Sequence, residues 1–195
     1  MRPLIALISI PLFLFSFTII HQQILGFKIG SDFTITIKGT SNLHDWESNV
    51  EKLTGTASFS FGEDGSVFIN ECNASIPVKS IKSSKGSIMD KKTWKALNAN
   101  DYPNIEYRLT NFDNVIKTVN GFTANTKGML RIAGTTKSVS IDITGKELTN
   151  GGYEITGSKN LKMTSFNVDP PTAMFGAVTT GDDITIKFRV VLNQK

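Results

Sequence analysis

The chain is poor in the residues that build disulfides, metal centres and linkers. Among its 195 residues are one cysteine, two histidines and six prolines. A single cysteine excludes an internal disulfide, so stability has to come from an apolar core. Cys72 lies in an apolar strand-like run, Val67 to Ile76, and is interpreted as a small buried hydrophobe rather than a nucleophile. No proline-rich linker, low-complexity tract or clear repeat divides the sequence, and its length favours one domain.

Groups for catalysis and metal binding are equally scarce. His21 lies beside the N-terminal apolar run, and His44 has only Asp45 and Glu47 close by in sequence. One histidine with one acid makes a poor zinc site, and no serine- or cysteine-based arrangement with a histidine is evident. We therefore assign no catalytic residue and no metal site. The 21 basic and 17 acidic residues are scattered and not interleaved with aromatics, so no nucleic-acid partner is expected.

One modest basic cluster is present in the chain. Lys79, Lys82 and Lys85 form it, and Lys91, Lys92 and Lys95 follow close behind in the sequence. Such a cluster would allow transient contact with an anionic membrane surface, and the alternative is a solvated face. An exposed strand face would also allow a homodimer, although no residue specifies one.

The N-terminus has the form of an export signal. Arg2 precedes an uncharged run from Leu4 to Ile20, which is shorter than the roughly 20 residues of a comfortable membrane span. We predict a signal peptide over residues 1–26, cleaved between Ser16 and Gly26. The mature domain, residues 27–195, would then be periplasmic or secreted. An uncleaved N-terminal anchor is the alternative.

The most frequent pattern in the sequence is an alternation of apolar and polar side chains with a period of two residues. Apolar and polar side chains alternate from Ile184 to Val190, and similar runs occur at 33–37, 53–61, 105–109 and 139–143. This periodicity is typical of half-buried strands. The pairs Asn120-Gly121 and Asn150-Gly151 favour tight hairpin turns. Together they predict an all-β fold, an antiparallel up-and-down barrel of about eight strands, whose closure removes exposed edges.

One segment departs from this pattern. Apolar residues between Ser84 and Asn100 recur at spacings of three and four, which predicts a short helix over about residues 86–99. Ser87 is expected to cap its start, with Asp90 three residues on. We expect the helix to lie over one mouth of the barrel or against its flank.

Four stretches of the sequence resemble the YceI-like family. They are TSNLHDWE (Thr40–Glu47), SIMDKKTWKALNANDYPNIEYRL (Ser87–Leu109), GMLRIAGTTKSVSIDI (Gly128–Ile143) and LKMTSFNVDPPTAMFGAVTTGDDITIKF (Leu161–Phe188). They occur in the family's order and span essentially the whole mature chain, and the His-Asp-Trp sequence resembles one branch of the family. The resemblance implies an exported, lipocalin-like, eight-stranded barrel that binds a long isoprenoid lipid, such as an isoprenoid quinone or a polyprenol.

Broad and adaptable apolar side chains suit an isoprenoid chain. The candidate lining residues are Phe59, Phe61, Phe68, Met89, Trp94, Phe112, Met163, Phe166, Met174 and Phe175, with plain core packing as the alternative for each. Met129 is out of phase with its neighbours and is expected to face outward. His44 and Trp46 are expected at the barrel mouth, where His44 would contact a polar head group. After the tandem Pro170-Pro171, the pair Met174-Phe175 would plug or line a mouth, or else form a rigid crossover.

The sequence leaves three functions open. The first is an exported, non-enzymatic protein that holds an apolar lipid as carrier, store or sensor. The second is an enzyme acting on a small amphipathic substrate at the His44/Asp45 mouth. The third is an envelope interaction module with a fully packed barrel. We favour the first, because a long apolar bore needs few polar groups and no catalytic constellation is evident.

Overall fold

The computed structural model describes residues 24–63 and 66–195. The predicted signal peptide lies outside the described residues except for positions 24–26, which begin the first strand. The strands are β1 (Ile24–Ser41), β2 (Trp46–Val50), β3 (Thr54–Phe61), β4 (Val67–Pro77), β5 (Ile81–Ser83), β6 (Asn104–Thr118), β7 (Gly121–Ile132), β8 (Thr135–Glu147), β9 (Tyr153–Lys162), β10 (Thr172–Ala173) and β11 (Val178–Gln194). One α-helix, α1 (Ser87–Ala96), and 3-10 turns at Val78–Ser80, Met163–Phe166 and Met174–Gly176 complete this part of the chain.

Eight of the described strands close into an antiparallel barrel. They follow the order β1-β3-β4-β6-β7-β8-β9-β11, and β11 pairs back with β1. The short strands β2 and β5 extend the sheet from β1, and β10 extends it from β11. The predicted all-β class, the eight-stranded barrel and the single short helix are confirmed. Every described strand lies between Ile24 and Gln194, and the eight barrel strands close within this part of the chain.

The alternation of the sequence becomes the two faces of the barrel wall. In the long β1–β11 pairing, Ile35 lies opposite Phe188 and Ile37 opposite Ile186, while Thr36 pairs with Lys187 between them. The apolar rows point inward because successive side chains of a strand alternate between faces. Outside the barrel, the Arg189 guanidinium binds both carboxylate oxygens of Asp32, at 2.7 and 3.0 Å.

Both predicted hairpin turns are confirmed. β6 and β7 are joined at Asn120-Gly121, and β8 and β9 at Asn150-Gly151. Gly151 has a φ of 77°, a backbone conformation that glycine adopts without strain and that most other residues avoid. These short connections give neighbouring strands the antiparallel order that the barrel requires.

Helix α1 forms where the pattern predicts it, but its expected capping is wrong. Gly86, not Ser87, holds the N-cap position, and no side chain caps the helix there. Asp90 instead accepts a hydrogen bond from the Ser83 backbone N–H at 2.7 Å. The carboxylate therefore binds β5 in front of the helix, rather than completing a capping box with Ser87.

The two ends of the barrel differ. At one end, the aromatic rings of Phe27, Phe59, Phe122 and Tyr153 form a buried plug, with the Phe27 and Phe59 centroids 4.9 Å apart. At the other end lie α1, β2, β5, β10 and the 3-10 turn Met163–Phe166. We call the first the closed end. We call the second the mouth, because its elements border the space that the barrel strands enclose.

The barrel wall opens locally near the mouth. β8 pairs with β9 only from Ile143/Gly157 to Glu147/Tyr153, so the mouth-side halves of these strands diverge. A small second core fills this divergence, in which Phe166 and Val168 pack with Val139 and Leu161. The segment after β9 therefore serves as part of the wall.

Candidate functional site

Two adjacent cavities occupy the barrel between the mouth and the plug. The mouth cavity has a volume of about 310 Å³ and the inner cavity about 230 Å³. Both are lined by the same belt of side chains, namely Ile37, Ile81, Ile105, Ile132, Leu161 and Ile186. Because the belt borders both spaces, the cavities follow one another along the barrel axis.

The inner cavity is apolar throughout. Its wall is mainly Ile, Leu and Val, and Phe59 of the plug forms its deep end. The polar groups in this wall are already hydrogen-bonded: Tyr107 bonds to Thr126, whose hydroxyl donates to the Ile141 carbonyl at 2.9 Å. Lys159 also borders the cavity and contributes its hydrocarbon stem. In the described residues no buried side-chain polar atom lacks a partner, so this space offers a ligand only apolar contact.

Burial in this wall changes the chemistry of its titratable groups. Burial raises the pKa of the Cys72 thiol to about 11. It also raises the pKa of the Tyr107 phenol. Desolvation disfavours the charged form of each group, so both stay neutral at physiological pH. A neutral thiol is a poor nucleophile, in keeping with Cys72 as part of an apolar wall.

The mouth cavity is amphipathic. Its inner side is the shared aliphatic belt, whereas its outer side includes Ser41, His44, Lys85 and Lys92. Apolar pockets with a few placed polar groups are typical of sites that orient one polar end of a ligand. Polarity therefore rises from the inner cavity to the mouth cavity.

The loop between β1 and β2 is built around two short polar side chains. The Ser41 hydroxyl accepts the backbone N–H groups of Leu43 and His44, at 3.2 and 3.1 Å, and donates to the His44 carbonyl at 2.7 Å. The Asn42 amide clamps the loop to the start of β11. It donates to the Ala177 carbonyl at 2.9 Å and accepts the Thr179 N–H at 3.0 Å. These bonds hold the His44 side chain at the cavity edge.

Trp46 forms a rigid part of the same rim. Its indole N–H donates to the Thr40 carbonyl at 3.0 Å, and its ring lies against Gly39, across the β1–β2 pairing. A Cβ atom at Gly39 would overlap this ring, so only glycine leaves room for it. A hydrogen-bonded, packed indole can present its apolar face to the cavity with little freedom to move.

Helix α1 is attached to the mouth through β5. The Trp94 indole donates to the Ile81 carbonyl at 3.0 Å, and the ammonium of Lys82 lies 4.4 Å from the centre of the Trp94 ring. Lys82 also pairs with the buried Asp90 at 3.4 Å. This attachment turns Met89 toward the mouth cavity and leaves Trp94 outside it.

The 3-10 turn after β9 is fastened to β11 by carboxylates. Asp182 accepts the Thr164 N–H at 2.8 Å and the Thr164 hydroxyl at 2.7 Å. These two hydrogen bonds hold the pKa of Asp182 below its usual value, and the bond from the backbone N–H has the larger effect. Lys162 pairs with Asp183 at 2.9 Å. The fastened turn carries Met163 and Phe166, which both line the mouth cavity.

The structure places the predicted site residues in three groups. His44, Trp46, Met89, Met163 and Phe166 line the mouth cavity, and Phe59 lines the inner cavity. The residues that line neither cavity are Phe61, Phe68, Trp94, Phe112, Met174 and Phe175. Phe61, Phe68 and Phe112 lie at the closed end. Phe61 stacks on Tyr153, and Phe68 packs edge to face on Phe112. Met174 and Phe175 are exposed, and so is Met129, which the strand phase predicted to face outward.

The site residues that the sequence interpretation missed are the aliphatic ones. The belt and most of the inner wall are Ile, Leu and Val, which carry no chemistry that distinguishes lining from packing. Their strand phase was the available signal, since inward residues recur at every second position. The same phase places Lys159 inward beside Leu161, although its charge suggests an outward position.

The acidic neighbours of His44 in the sequence do not form a cluster with it that could hold a metal ion. Glu47, on the strand after His44, pairs with Lys38 at 3.0 Å, away from the cavity. Among residues 24–63 and 66–195, no three His, Cys, Asp or Glu side chains come together as metal ligands would.

A family model described as the YceI-like domain matches residues 17–192. Among solved structures, Burkholderia cenocepacia BcnA is similar, with 19% identity and a TM-score of 0.60 over 82% of this chain and 95% of that chain. A polyisoprenoid binding domain from Saccharophagus degradans, implicated in plant cell wall breakdown, has 9% identity and a TM-score of 0.65 over 88% and 99%.

A third similar structure is the Campylobacter jejuni YCEI protein, with 17% identity and a TM-score of 0.58 over 76% of this chain and 84% of that chain. At such identities these structures show a common fold. No curated protein matches the chain. Within the described residues, no helix is long and apolar enough to cross a membrane. The family model covers most of the sequence, the resemblance noted in the sequence is confirmed, and the chain belongs to the YceI-like family.

Proposed function

We propose that this protein is an exported binding protein that holds a long-chain isoprenoid or similar apolar lipid in its barrel, as carrier, store or sensor, without enzymatic activity. The observation that carries the proposal is the rise in polarity from the apolar inner cavity to the amphipathic mouth cavity. An amphiphile with one long apolar chain and one small polar head matches that gradient.

The inner cavity would hold the chain end. Its wall offers no free hydrogen-bonding group, so affinity there comes from removing hydrocarbon from water. At about 0.8 kcal/mol per methylene, an isoprene unit of about five carbons contributes about 4 kcal/mol. Phe59 would stop the chain, and the aliphatic belt would surround its middle.

The mouth cavity would hold the head group and the adjoining part of the chain. Trp46, Met89, Met163 and Phe166 would contact the chain, and His44 would hydrogen-bond a head-group oxygen. An isoprenoid quinone or a polyprenol has such an oxygen at one end of its chain. The structural relative from Saccharophagus degradans, described as a polyisoprenoid binding domain, supports this ligand class.

Export supports the same function. The apolar N-terminal run has the form of a signal peptide, and periplasmic or secreted proteins meet membrane lipids outside the cytoplasm. The family assignment agrees with this compartment.

The test is native mass spectrometry of protein isolated from an envelope fraction, followed by solvent extraction of any bound mass. We expect a discrete adduct that extracts as a prenyl-chain lipid, and that returns when the delipidated barrel is incubated with quinones or polyprenols. Protein that stays free of adduct after these incubations, while folded by circular dichroism, would contradict the proposal and favour a packed module.

Two matched variants connect this binding to the inner cavity. Ala74→Phe adds a ring inside it, whereas Ser140→Phe adds the same ring on the exposed outer face of β8. Loss of one isoprene's burial predicts that Ala74→Phe weakens binding by more than about a hundredfold. Ser140→Phe should bind as the unchanged protein does. Equal binding by both variants, each with a normal melting curve, would place the ligand elsewhere.

His44→Ala separates a carrier from an enzyme. A lost hydrogen bond to the head group predicts about a tenfold loss of affinity at most, since one such bond contributes about 1 kcal/mol. An enzyme working at this mouth would bind its substrate but lose turnover of it. Conversion of a candidate lipid by the unchanged protein, abolished by His44→Ala, would overturn the carrier proposal.

A further inference from the structure

Large apolar side chains stand exposed around the mouth. Leu43 in the β1–β2 loop is 67% exposed, Ile88 at the start of α1 is 73% exposed, and Met174 is 72% exposed. Phe175 is fully exposed. We call these four residues the apolar rim. Several large exposed apolar side chains at one end of a barrel indicate a surface that meets another apolar phase.

Each rim residue belongs to a segment that borders the mouth cavity. Leu43 and Ile88 are followed directly by the lining residues His44 and Met89, and Thr172, another lining residue, lies just before the Met174–Gly176 turn. Because three separate segments meet at one cavity, the four residues lie on segments that border one opening.

Hydrogen bonds fasten these three segments to one another. Asn42 bonds to Ala177 and Thr179, which joins the Leu43 loop to the segment after Phe175. The Lys92 ammonium donates to the Thr172 carbonyl at 3.4 Å, which joins α1 to the same segment. The rim segments are therefore held together in the folded protein, and binding through the rim needs no further ordering of the chain.

Positive charge accompanies the apolar rim. The three rim segments, residues 41–46, 84–96 and 169–180, contain the lysines Lys85, Lys91, Lys92 and Lys95. Their exposed carboxylates are Asp45 and Asp169, and Asp90 is buried against Lys82. On α1, Lys91 and Lys95 follow Ile88 at helical spacing, and all three are exposed. Apolar groups flanked by lysines suit the interface of an anionic bilayer, where long lysine chains reach back to the phosphates.

We propose that the barrel docks mouth-first on an anionic phospholipid surface, with the apolar rim inserted among the acyl chains and the lysines at the head groups. Such a pose opens the bore directly onto the bilayer. This surface is distinct from the cavity walls, because none of the four rim residues lines either cavity. A second copy of this chain is the competing occupant, but the excess of lysines favours phosphate over a like-charged surface.

Vesicle binding by residues 24–195 tests the proposal, since this part holds the barrel and lacks the apolar leader. The probe is mixed phosphatidylglycerol–phosphatidylcholine vesicles, compared with phosphatidylcholine alone, in a flotation assay. We expect binding to the mixed vesicles that weakens as salt is added, because the lysine contribution is screened.

Phe175→Asn removes the largest rim side chain without adding charge. Phe175 has a φ of 55°, and asparagine tolerates this left-handed conformation well, so the loop is not strained by the change. Val119→Asn is the matched control: Val119 is 98% exposed in the β6–β7 hairpin, at the closed end. We expect Phe175→Asn to weaken vesicle binding about tenfold and Val119→Asn to leave it unchanged.

Replacement of Lys91 and Lys95 by glutamine should weaken binding about fivefold per lysine at low salt. Equal binding by Phe175→Asn and the unchanged protein, or equal loss in Val119→Asn, would overturn the proposal. So would a dimer in sedimentation equilibrium that Phe175→Asn dissociates, with no vesicle binding. Lipid loading measured by native mass spectrometry in the same variants should be unchanged, so docking and cargo binding succeed or fail separately.

Discussion

Replacement of Phe59 by alanine tests whether the aromatic plug limits how far a bound lipid chain can reach into the barrel. The Phe59 side chain is 2% exposed, lines the inner cavity and touches three other rings, with centroids 4.9 Å from Phe27, 5.4 Å from Tyr153 and 6.0 Å from Phe122. Phe→Ala substitutions in cores cost about 3–5 kcal/mol, from lost transfer energy and the cavity left behind. For a domain of this size, that lowers the melting temperature by about 10 °C.

The same substitution lengthens the bore. The removed ring is about as large as one isoprene unit, so Phe59→Ala should shift the preferred chain length upward by about one unit. Lipid that reaches into the new space should restore part of the lost stability, because ligand binding stabilises the folded state. This rescue depends on the proposed function, whereas the loss of stability without lipid does not.

The assay is urea unfolding of delipidated protein, followed by melting curves with prenyl lipids of increasing length. Phe68→Ala is the matched control, because Phe68 lies opposite Ser60 on the neighbouring strand and is 38% exposed. It should cost clearly less, about 1–2 kcal/mol, because Phe68 is partly exposed and its ring contacts only Phe112 among the described rings. Equal costs for the two truncations would refute the plug, and an unchanged chain-length preference in Phe59→Ala would refute its role as the stop.

Three further predictions follow from individual contacts. Gly39→Ala should destabilise the protein by about 1–3 kcal/mol, measured by urea unfolding, because its Cβ overlaps the Trp46 ring; an unchanged midpoint would show that the ring is free to move. The pKa of Asp182 is lowered by bonds from Thr164, so its contribution to stability is present above about pH 4 and lost as the pH falls through the lowered pKa. Asp182→Asn should therefore be less stable than the unchanged protein at neutral pH, with the difference shrinking below about pH 4 in acid unfolding curves; a constant difference would contradict this. With a pKa of about 11, the Cys72 thiol should react slowly with a disulfide reagent at pH 8 and more slowly still after lipid loading, and a rate like that of a free thiol would refute its burial.

The sequence could predict which face of a strand a residue occupies, but not its level, that is, its position along the barrel axis. Phe59 and Phe61 share one inward phase on β3, yet Phe59 borders the inner cavity and Phe61 stacks on Tyr153 beyond it. Phase depends on the period of the strand, which is local. Level depends on strand tilt and stagger, which are set by pairing with distant strands.

The mouth shows the same division in its loops and helix. Trp94 lies in the predicted helix, but its indole bonds to Ile81 and its ring faces Lys82 rather than the cavity. Met174 and Phe175 follow the tandem proline as loop residues were expected to, yet both have positive φ and their side chains are exposed. Which way such side chains turn is decided by hydrogen bonds to elements far away in the chain.

By itself, the sequence determined the class of the fold, the inward face of five barrel strands, two hairpin turns, the helix and the family. These features follow from periodicities and turn residues that act within a few positions. The tertiary structure alone decided that the barrel keeps an apolar bore, that Phe59 ends it, and that Leu43, Ile88, Met174 and Phe175 lie on segments that border its mouth. A cavity exists only where walls from eight paired strands fail to fill the space between them, and no local pattern records that distance.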